Sequence, residues 1–167
     1  MNSRNKFHIT NDIIATKQTR MTNYVIDYVV QMSIFVSVAV SLSILSKILK
    51  NPSLISWFED MNKIQEYIYG AIVTMVYYAV FESLTARSVG KYVTNTIVVL
   101  QDGTRPPTET MLRRSIYRIL PFNALFFLWQ DRVWHDKYTD TFVVNKSALE
   151  AKMLSYNNFN EIGKSEI

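Results

Sequence analysis

Two long apolar stretches dominate the pattern of hydrophobic and polar positions. From Tyr24 to Ser46 the only charged residue is Asp27, and a second, aromatic-rich stretch runs from about Tyr67 to Thr85. Because a helix rises about 1.5 Å per residue, about 20 apolar residues suffice to cross a bilayer. The pattern therefore predicts an all-α membrane protein with transmembrane helices over about 22–48 and 66–86.

A third apolar segment, about 114–130, is shorter than the first two. Between Arg118 and Asp131 there are 12 uncharged residues, and Pro121 is one of them. Such a segment reaches about 18 Å, whereas the apolar core of a bilayer is about 30 Å thick. We therefore expect a short third hydrophobic helix that is re-entrant, interfacial or tilted, the last with Arg114 and Arg118 extending to the interface.

Two short β-branched stretches lie outside the apolar segments. TNTIVVL at 94–100 is followed by the turn residues QDG and RPP, and YTDTFVVN occupies 138–145. Their composition is typical of strands, and they could pair as a small two-stranded β-ribbon on the cytoplasmic side. This completes a membrane domain over 20–145, preceded by a polar, mobile or interfacial segment at 1–19. A polar tail at 146–167, either a helix or disordered, follows it.

The distribution of basic residues predicts the orientation. Residues 1–20 and the loop after the second span are basic, whereas 47–66 holds three basic and three acidic residues. Cytoplasmic loops carry the excess of Lys and Arg, so we expect the N-terminus and the ribbon in the cytoplasm. The first span has no preceding apolar region with a cleavage site, and it therefore reads as an uncleaved signal anchor.

Composition argues against several functional classes. The chain has no cysteine, and its histidines, His8 and His135, form no metal-binding pair such as His-x3-His. Its four glycines build no phosphate-binding loop. His135 and Asp136, beside Asp131 and Arg132, could do acid/base work, but a solvated interfacial network is the commoner role of such a cluster. We expect no metal, no cofactor and no enzymatic activity. The net charge of +4 belongs to residues flanking spans, so no nucleic-acid partner is expected.

Asp27 is the first candidate functional residue. An ionisable group inside a span costs at least a few kcal/mol unless a partner, water or a proton offsets it. At about 100° per residue, one helical face groups Asp27 with neighbours within about 60° of it: Arg20, Asn23, Tyr24, Gln31 and Ile34. Glu82, near the inner end of the second span, acts either at depth or at the interface, where it would pair with Arg87.

Four stretches of the sequence carry a resemblance to a known family. They are Arg20-x6-Asp27, FESLTARSVGKYVTNTIVVLQDG at the end of the second span, RRSIYRILPF at the third segment, and WHDKYTDTFVV. In this order and spacing they resemble the RDD family of small bacterial membrane proteins, named for one arginine and two aspartates. The resemblance makes Asp136 the second aspartate, and it implies the bacterial cytoplasmic (inner) membrane as the location.

The sequence departs from the family pattern at a few positions. Ser88 replaces a threonine but retains the hydroxyl group. Ala86 and the pair Thr94 and Asn95 stand where glycines are common, and Asn123 stands where relatives often carry an acid. The missing acid leaves fewer titratable groups for any coupling to protons.

Two functions from different classes follow for the triad Arg20, Asp27 and Asp136. In the first, Asp27 with Gln31 and Glu82 forms an ion or proton site, as the resemblance implies by analogy, since some members of the family are linked to sodium/proton antiport. The protein would exchange Na+, Li+ or K+ for H+ as a homo-oligomer in the lipid bilayer. In the second, the triad is a structural clamp in a non-transporting accessory subunit. The secondary candidates for either role are Gln31, Glu82, Lys91, Arg114, Arg118 and His135.

Overall fold

Three helices form the apolar half of the computed structural model, which describes residues 7–118 and 134–165. Helix α1 spans Lys17–Leu49, α2 spans Ser53–Glu59 and α3 spans Lys63–Thr85. By length and composition α1 and α3 could each cross a bilayer, since an 18-residue window within each has a mean hydropathy of 2.0 and 1.3, respectively. The two predicted spans are therefore confirmed as helices, and both begin a few residues earlier than the apolar pattern indicates.

Local hydrogen bonds explain where these helices begin. The side chain of Thr16 accepts a hydrogen bond from the backbone N–H of Thr19 at the start of α1. Asn62 and Gln65 form a reciprocal capping box at the start of α3. Such caps bind backbone N–H groups that have no partner within the first turn, so both helices extend past their apolar stretches into polar sequence.

Helix α1 exposes its apolar side chains and buries polar ones, which is the inverse of the pattern found in soluble proteins. Only 6% of its most apolar window is buried, and Val29 and Ile48 are 57% and 70% exposed. The buried residues of α1 are instead polar, namely Arg20, Asn23, Asp27 and Ser46. A core helix of a soluble protein would bury its apolar side chains, so this arrangement fits a helix whose apolar surface faces lipid.

The polar half of the fold contains four shorter helices and two strands within the described residues. In chain order they are α4 (Val89–Val93), β1 (Thr96–Leu100), α5 (Thr108–Tyr117), α6 (Trp134–Tyr138), β2 (Thr141–Asn145) and α7 (Lys146–Ser165). The strands pair antiparallel, from Thr96 opposite Asn145 to Leu100 opposite Thr141. The predicted two-stranded ribbon is confirmed, and Val98, Val99 and Val144 are fully or almost fully buried around it.

The N-terminal segment packs on this ribbon. The backbone N–H of Ala15 donates to the carbonyl oxygen of Val143 at 2.9 Å, and Ile14 forms a bridge with Val144. Ile13 is only 3% exposed. Residues 7–16 therefore pack against the ribbon, a contact that the expectation of a mobile or interfacial segment does not include. Isolated isoleucines in polar sequence form no periodic pattern, so their burial against a distant strand leaves no local signal.

The tail forms helix α7, one of the two structures expected for it, and its Leu149 is 6% exposed in a cluster with Ile13 and Phe142. Most of the predicted third apolar segment falls in residues 119–133 and lies outside the described residues. Asn123, Asp131 and Arg132 lie outside them as well.

Substitution of Gly90 tests the close contact between α4 and α1. A Cβ atom at position 90 would lie 2.3 Å from the backbone carbonyl oxygen of Asn23, whereas one at Gly70 in α3 would meet nothing within 4 Å. Gly90→Ala must push α4 away from α1, so we expect a loss of about 1–3 kcal/mol in the free energy of unfolding. Gly70→Ala is the matched control, expected to stabilise by about 0.5–1 kcal/mol. Thermal unfolding in detergent measures both, and equal melting temperatures would contradict the contact.

Candidate functional site

Asp27 lies buried between α1, α3 and α4, and four donors surround its carboxylate. The hydroxyl of Tyr77 and the backbone N–H of Gly90 donate to Oδ1, each at 2.7 Å. The hydroxyls of Ser88 and Tyr78 donate to Oδ2, at 2.6 and 3.1 Å. Asp27 is 1% exposed. Two donors on each oxygen match the acceptor capacity of a carboxylate, which removes the cost of burying it unpaired.

The turn between α3 and α4 brings two of these donors to Asp27. Ala86 caps the C-terminus of α3, and its left-handed backbone (φ 57°) turns the chain back toward α1. Ser88 then caps α4, and Gly90 follows in the first turn. Because Gly90 has no Cβ, its N–H group can approach the Asp27 carboxylate while α4 rests on the backbone of α1.

Glu82 is the centre of a buried cationic cluster. Its Oε1 accepts from Lys91 Nζ at 2.7 Å and from Arg118 Nη2 at 2.8 Å, and its Oε2 accepts from Arg114 Nη1 at 3.0 Å. Glu82 is 0% exposed. The alternative in which it pairs with Arg87 at the interface is wrong, because three cations from α4 and α5 take its oxygens.

Asp136 is the second buried carboxylate of the network. Arg20 Nη1 donates to its Oδ2 at 2.9 Å, and Arg114 Nη2 donates to its Oδ1. Arg114 therefore bridges Asp136 and Glu82. Removing one partner from a buried ion pair typically costs about 3–5 kcal/mol, because the remaining charge stays desolvated. The network thus ties α6, and the strand β2 that follows it, to both long helices.

The structure brings two members of the predicted triad into direct contact and holds the third apart. Arg20 donates a hydrogen bond to Asp136, but it makes none to Asp27. The connection to Asp27 runs through other side chains, since Lys91 Nζ lies 3.4 Å from the Ser88 hydroxyl that donates to Asp27. The complete chain of contacts is Arg20, Asp136, Arg114, Glu82, Lys91, Ser88 and Asp27.

Burial and neighbouring charges shift the pKa values of groups in this network. Burial alone would raise the pKa of Asp136, but the cations around it, Arg114 above all, hold it well below its usual range. The pKa of His135 is lowered well below its usual value by burial and by Arg118. Burial also lowers the pKa of Lys91, against the opposing effect of Glu82. His135 is therefore a neutral imidazole at pH 7.

Gln31 is the other candidate residue on the face of α1 that carries Asp27, and it lies about one helical turn further along the chain. Its Oε1 accepts from the hydroxyl of Thr74 on α3 at 2.8 Å. The structure thus separates the proposed ion-site residues: Gln31 bonds to Thr74, and Glu82 bonds to cations. Among the described residues, no group of three His, Cys, Asp or Glu side chains could hold a metal ion.

Tyr77 and Tyr78 are site residues that the sequence pattern does not single out. Both fall on the same half of the α3 helical wheel as Glu82, and that shared face is the only signal for them. Asn23 is similar. Its side-chain nitrogen donates to the Thr96 hydroxyl at 3.0 Å and its oxygen accepts from Thr94, so it joins α1 to the first strand.

A cavity of about 80 Å³ lies beside the network. Arg20 lines it, is 5% exposed, and has no hydrogen-bond partner among the described residues at Nε and Nη2. Arg118 also lines it, and within the same part of the chain its buried Nε has no partner. Each buried donor left without a partner costs about 1–3 kcal/mol, and more when the group is charged. These nitrogens, together with the buried Nε of Arg114, are therefore the unsatisfied side-chain donors of the network within the described residues.

The fold and the network together define a class of protein. It is a helical membrane protein in which buried ion pairs join two candidate spans to a two-stranded sheet. The family model described as RDD family matches residues 15–140, most of the chain and all of the network. The chain belongs to the RDD family, which confirms the resemblance. No curated protein and no solved structure matches it.

The lowered pKa of His135 predicts a pH dependence of stability. Below about pH 6.5 the unfolded chain binds a proton at this histidine and the folded chain does not, so stability falls as the pH decreases, by at most about 1.4 kcal/mol per pH unit. His135→Gln should remove this slope between about pH 6.5 and 5. His8→Gln, at the exposed second histidine, should retain it. Thermal unfolding in detergent across this range is the measurement, and a slope that survives in His135→Gln contradicts the assignment.

Proposed function

We propose that this RDD protein is a structural or accessory membrane subunit in which Arg20, Asp27 and Asp136 act as a clamp. The observation that carries the proposal is the set of four donors on Asp27. A carboxylate that already accepts two hydrogen bonds on each oxygen has no position left for a cation, and binding one would displace α4 from α1.

The rest of the network supports a clamp over the whole length of the site. Arg20 and Asp136 join the start of α1 to α6, which leads directly into β2. Arg114 and Lys91 join α5 and α4 to Glu82 near the end of α3. Buried ion pairs therefore attach the helix that precedes each strand to a candidate span: α6, before β2, to α1, and α4, before β1, to α3.

The location that we propose is the bacterial cytoplasmic membrane, with the N-terminus and the sheet in the cytoplasm. The contact between Ala15 and Val143 places the segment before α1 on the sheet. The ends of the two long helices that adjoin the sheet are also those next to the basic parts of the chain, as expected for the cytoplasmic side.

Exchange of cations for protons is the second candidate. The observation in its favour is the hydrogen bond between Gln31 and Thr74, which joins α1 and α3 above Asp27 within their apolar stretches. Polar side chains at that level can line a pathway. Two spans leave little room for one in a single copy, so this candidate requires a homo-oligomer.

Flux and stability of Asp27→Asn separate the two candidates. For the clamp we expect no proton flux driven by Na+, Li+ or K+ in proteoliposomes of the wild type. We also expect Asp27→Asn to lose about 3 kcal/mol of unfolding free energy, because charged hydrogen bonds are weakened. Asp60→Asn, at an exposed acid after α2, is the control and should melt as the wild type does. Wild-type flux that disappears in a normally melting Asp27→Asn variant would establish exchange instead.

A tag placed after Asn145 tests the orientation. If the sheet is cytoplasmic, the tag is protected from a membrane-impermeant reagent in intact cells and becomes reactive after the membrane is opened. A second tag at the exposed Asp60, in the connection between the spans, should react in intact cells. The reverse labelling pattern would contradict the proposed orientation.

A further inference from the structure

The cavity beside the network has walls from both long helices and from the polar half of the fold. Its lining includes Arg20 and Asp27 of α1, Tyr78 of α3, and Arg118 and Asp136. Tyr24 also lines it and is 38% exposed, so one wall belongs to the surface of α1. Arg20 is in the first turn of α1, and the cavity therefore lies near one end of the span.

The free donors of Arg20 form one edge of its guanidinium group. Nη1 donates to Asp136, whereas Nε and Nη2 are buried and have no partner in the part of the chain that the structure describes. The Nε and Nη2 edge donates two parallel hydrogen bonds, and it matches two oxygens of a carboxylate or phosphate group. The unpartnered Nε of Arg118 offers a donor for a third oxygen, which a phosphate has and a carboxylate lacks.

Among the described residues, the charges around the cavity leave one positive charge in excess. Arg20, Lys91 and Arg118 line it against the carboxylates of Asp27 and Asp136. His135 also lines the cavity and is neutral because burial and the arginines lower its pKa, and outside the lining Arg114 and Glu82 balance each other. The excess repels a cation, and one anion with a single charge would neutralise it.

We propose that this cavity is a binding site for one phosphate group of single negative charge, held by Arg20 through Nε and Nη2. The cavity volume of about 80 Å³ corresponds to two or three water molecules at about 30 Å³ each, which suits one small anion. The phosphate comes either from inorganic phosphate or from the headgroup of an anionic lipid, because the site lies near the end of a span and one of its walls is at the protein surface.

The site goes beyond the clamp and does not rest on it. It depends on the free edge of Arg20, whereas the clamp depends on the ion pair that Arg20 makes with Asp136 through Nη1. A test of the site therefore has to change the free edge and preserve the charge toward Asp136.

The first measurement uses the wild type. Nuclear magnetic resonance of arginine Nε–H groups, in a detergent without phosphate, follows Arg20 during titration with inorganic phosphate. The same amount of chloride, at equal ionic strength, is the control. A second arm compares nanodiscs of phosphatidylglycerol, whose headgroup is an anionic phosphodiester, with nanodiscs of zwitterionic phosphatidylcholine. Assignment of the Arg20 signal uses triple-resonance correlation of its Nε–H group with its own backbone amide in the wild type, and its loss in Arg20→Lys confirms the assignment.

The second measurement compares two variants. Arg20→Lys keeps a positive charge for Asp136 but removes the two-donor edge, so phosphate binding should weaken about tenfold or more. Arg113→Lys is the matched control, because Arg113 is exposed on α5 and pairs with Glu109; its phosphate affinity should equal that of the wild type.

The outcomes are distinct. A shift of the Arg20 Nε–H signal with phosphate and not with chloride supports the site with a free anion as its source. A shift confined to phosphatidylglycerol supports it with a lipid as the source. No shift in any arm, or equal shifts with chloride and phosphate, overturns the proposal. If Arg20→Lys fails to fold, the wild-type titration still decides.

Discussion

The buried bridge made by Arg114 is the interaction on which the rest of the structure depends. Its guanidinium bonds to Glu82, 32 residues earlier in the chain, and to Asp136, 22 residues later. Arg114 and Glu82 are 0% exposed and Asp136 is 1% exposed. Without this cation each of two buried carboxylates would lose a charged partner, and the loss of one partner from a buried ion pair typically costs about 3–5 kcal/mol. The bridge therefore fixes α3, α5 and α6 relative to one another.

Charged side chains lie inside the protein and apolar side chains lie on its surface because of what surrounds α1 and α3. A bilayer solvates the exposed apolar surface of these helices, so their polar residues find partners only within the protein. Asp27 obtains four donors from α3 and α4, and Asn23 reaches the hydroxyls that precede and begin β1. Polar contacts consequently take the place that apolar packing has in a soluble core.

Much of the architecture could be predicted from local sequence, but the partners within the site could not. Spans and strands produce regular patterns over neighbouring residues, so both spans and the ribbon follow from the sequence. Which cations surround Glu82 depends on side chains brought together from three separate helices. Two departures from the family pattern also become clear only in three dimensions: Ala86 and Asn95 have φ values of 57° and 52°, a left-handed conformation that glycine adopts without strain.

The hydrogen bonds of the site change which member of the triad Arg20, Asp27 and Asp136 is expected to bind a ligand. In the sequence, Asp27 is the residue whose burial costs the most free energy. In the structure, its carboxylate already accepts four hydrogen bonds, and breaking them would open the contact between α1 and α4. Arg20 is the member with unused donors, because within residues 7–118 and 134–165 one of its three nitrogens has a partner and the other two have none. A buried cation with a free two-donor edge favours an anion. The chemistry open to this site is therefore that of an arginine that binds anions, with the aspartates as the charges that position it.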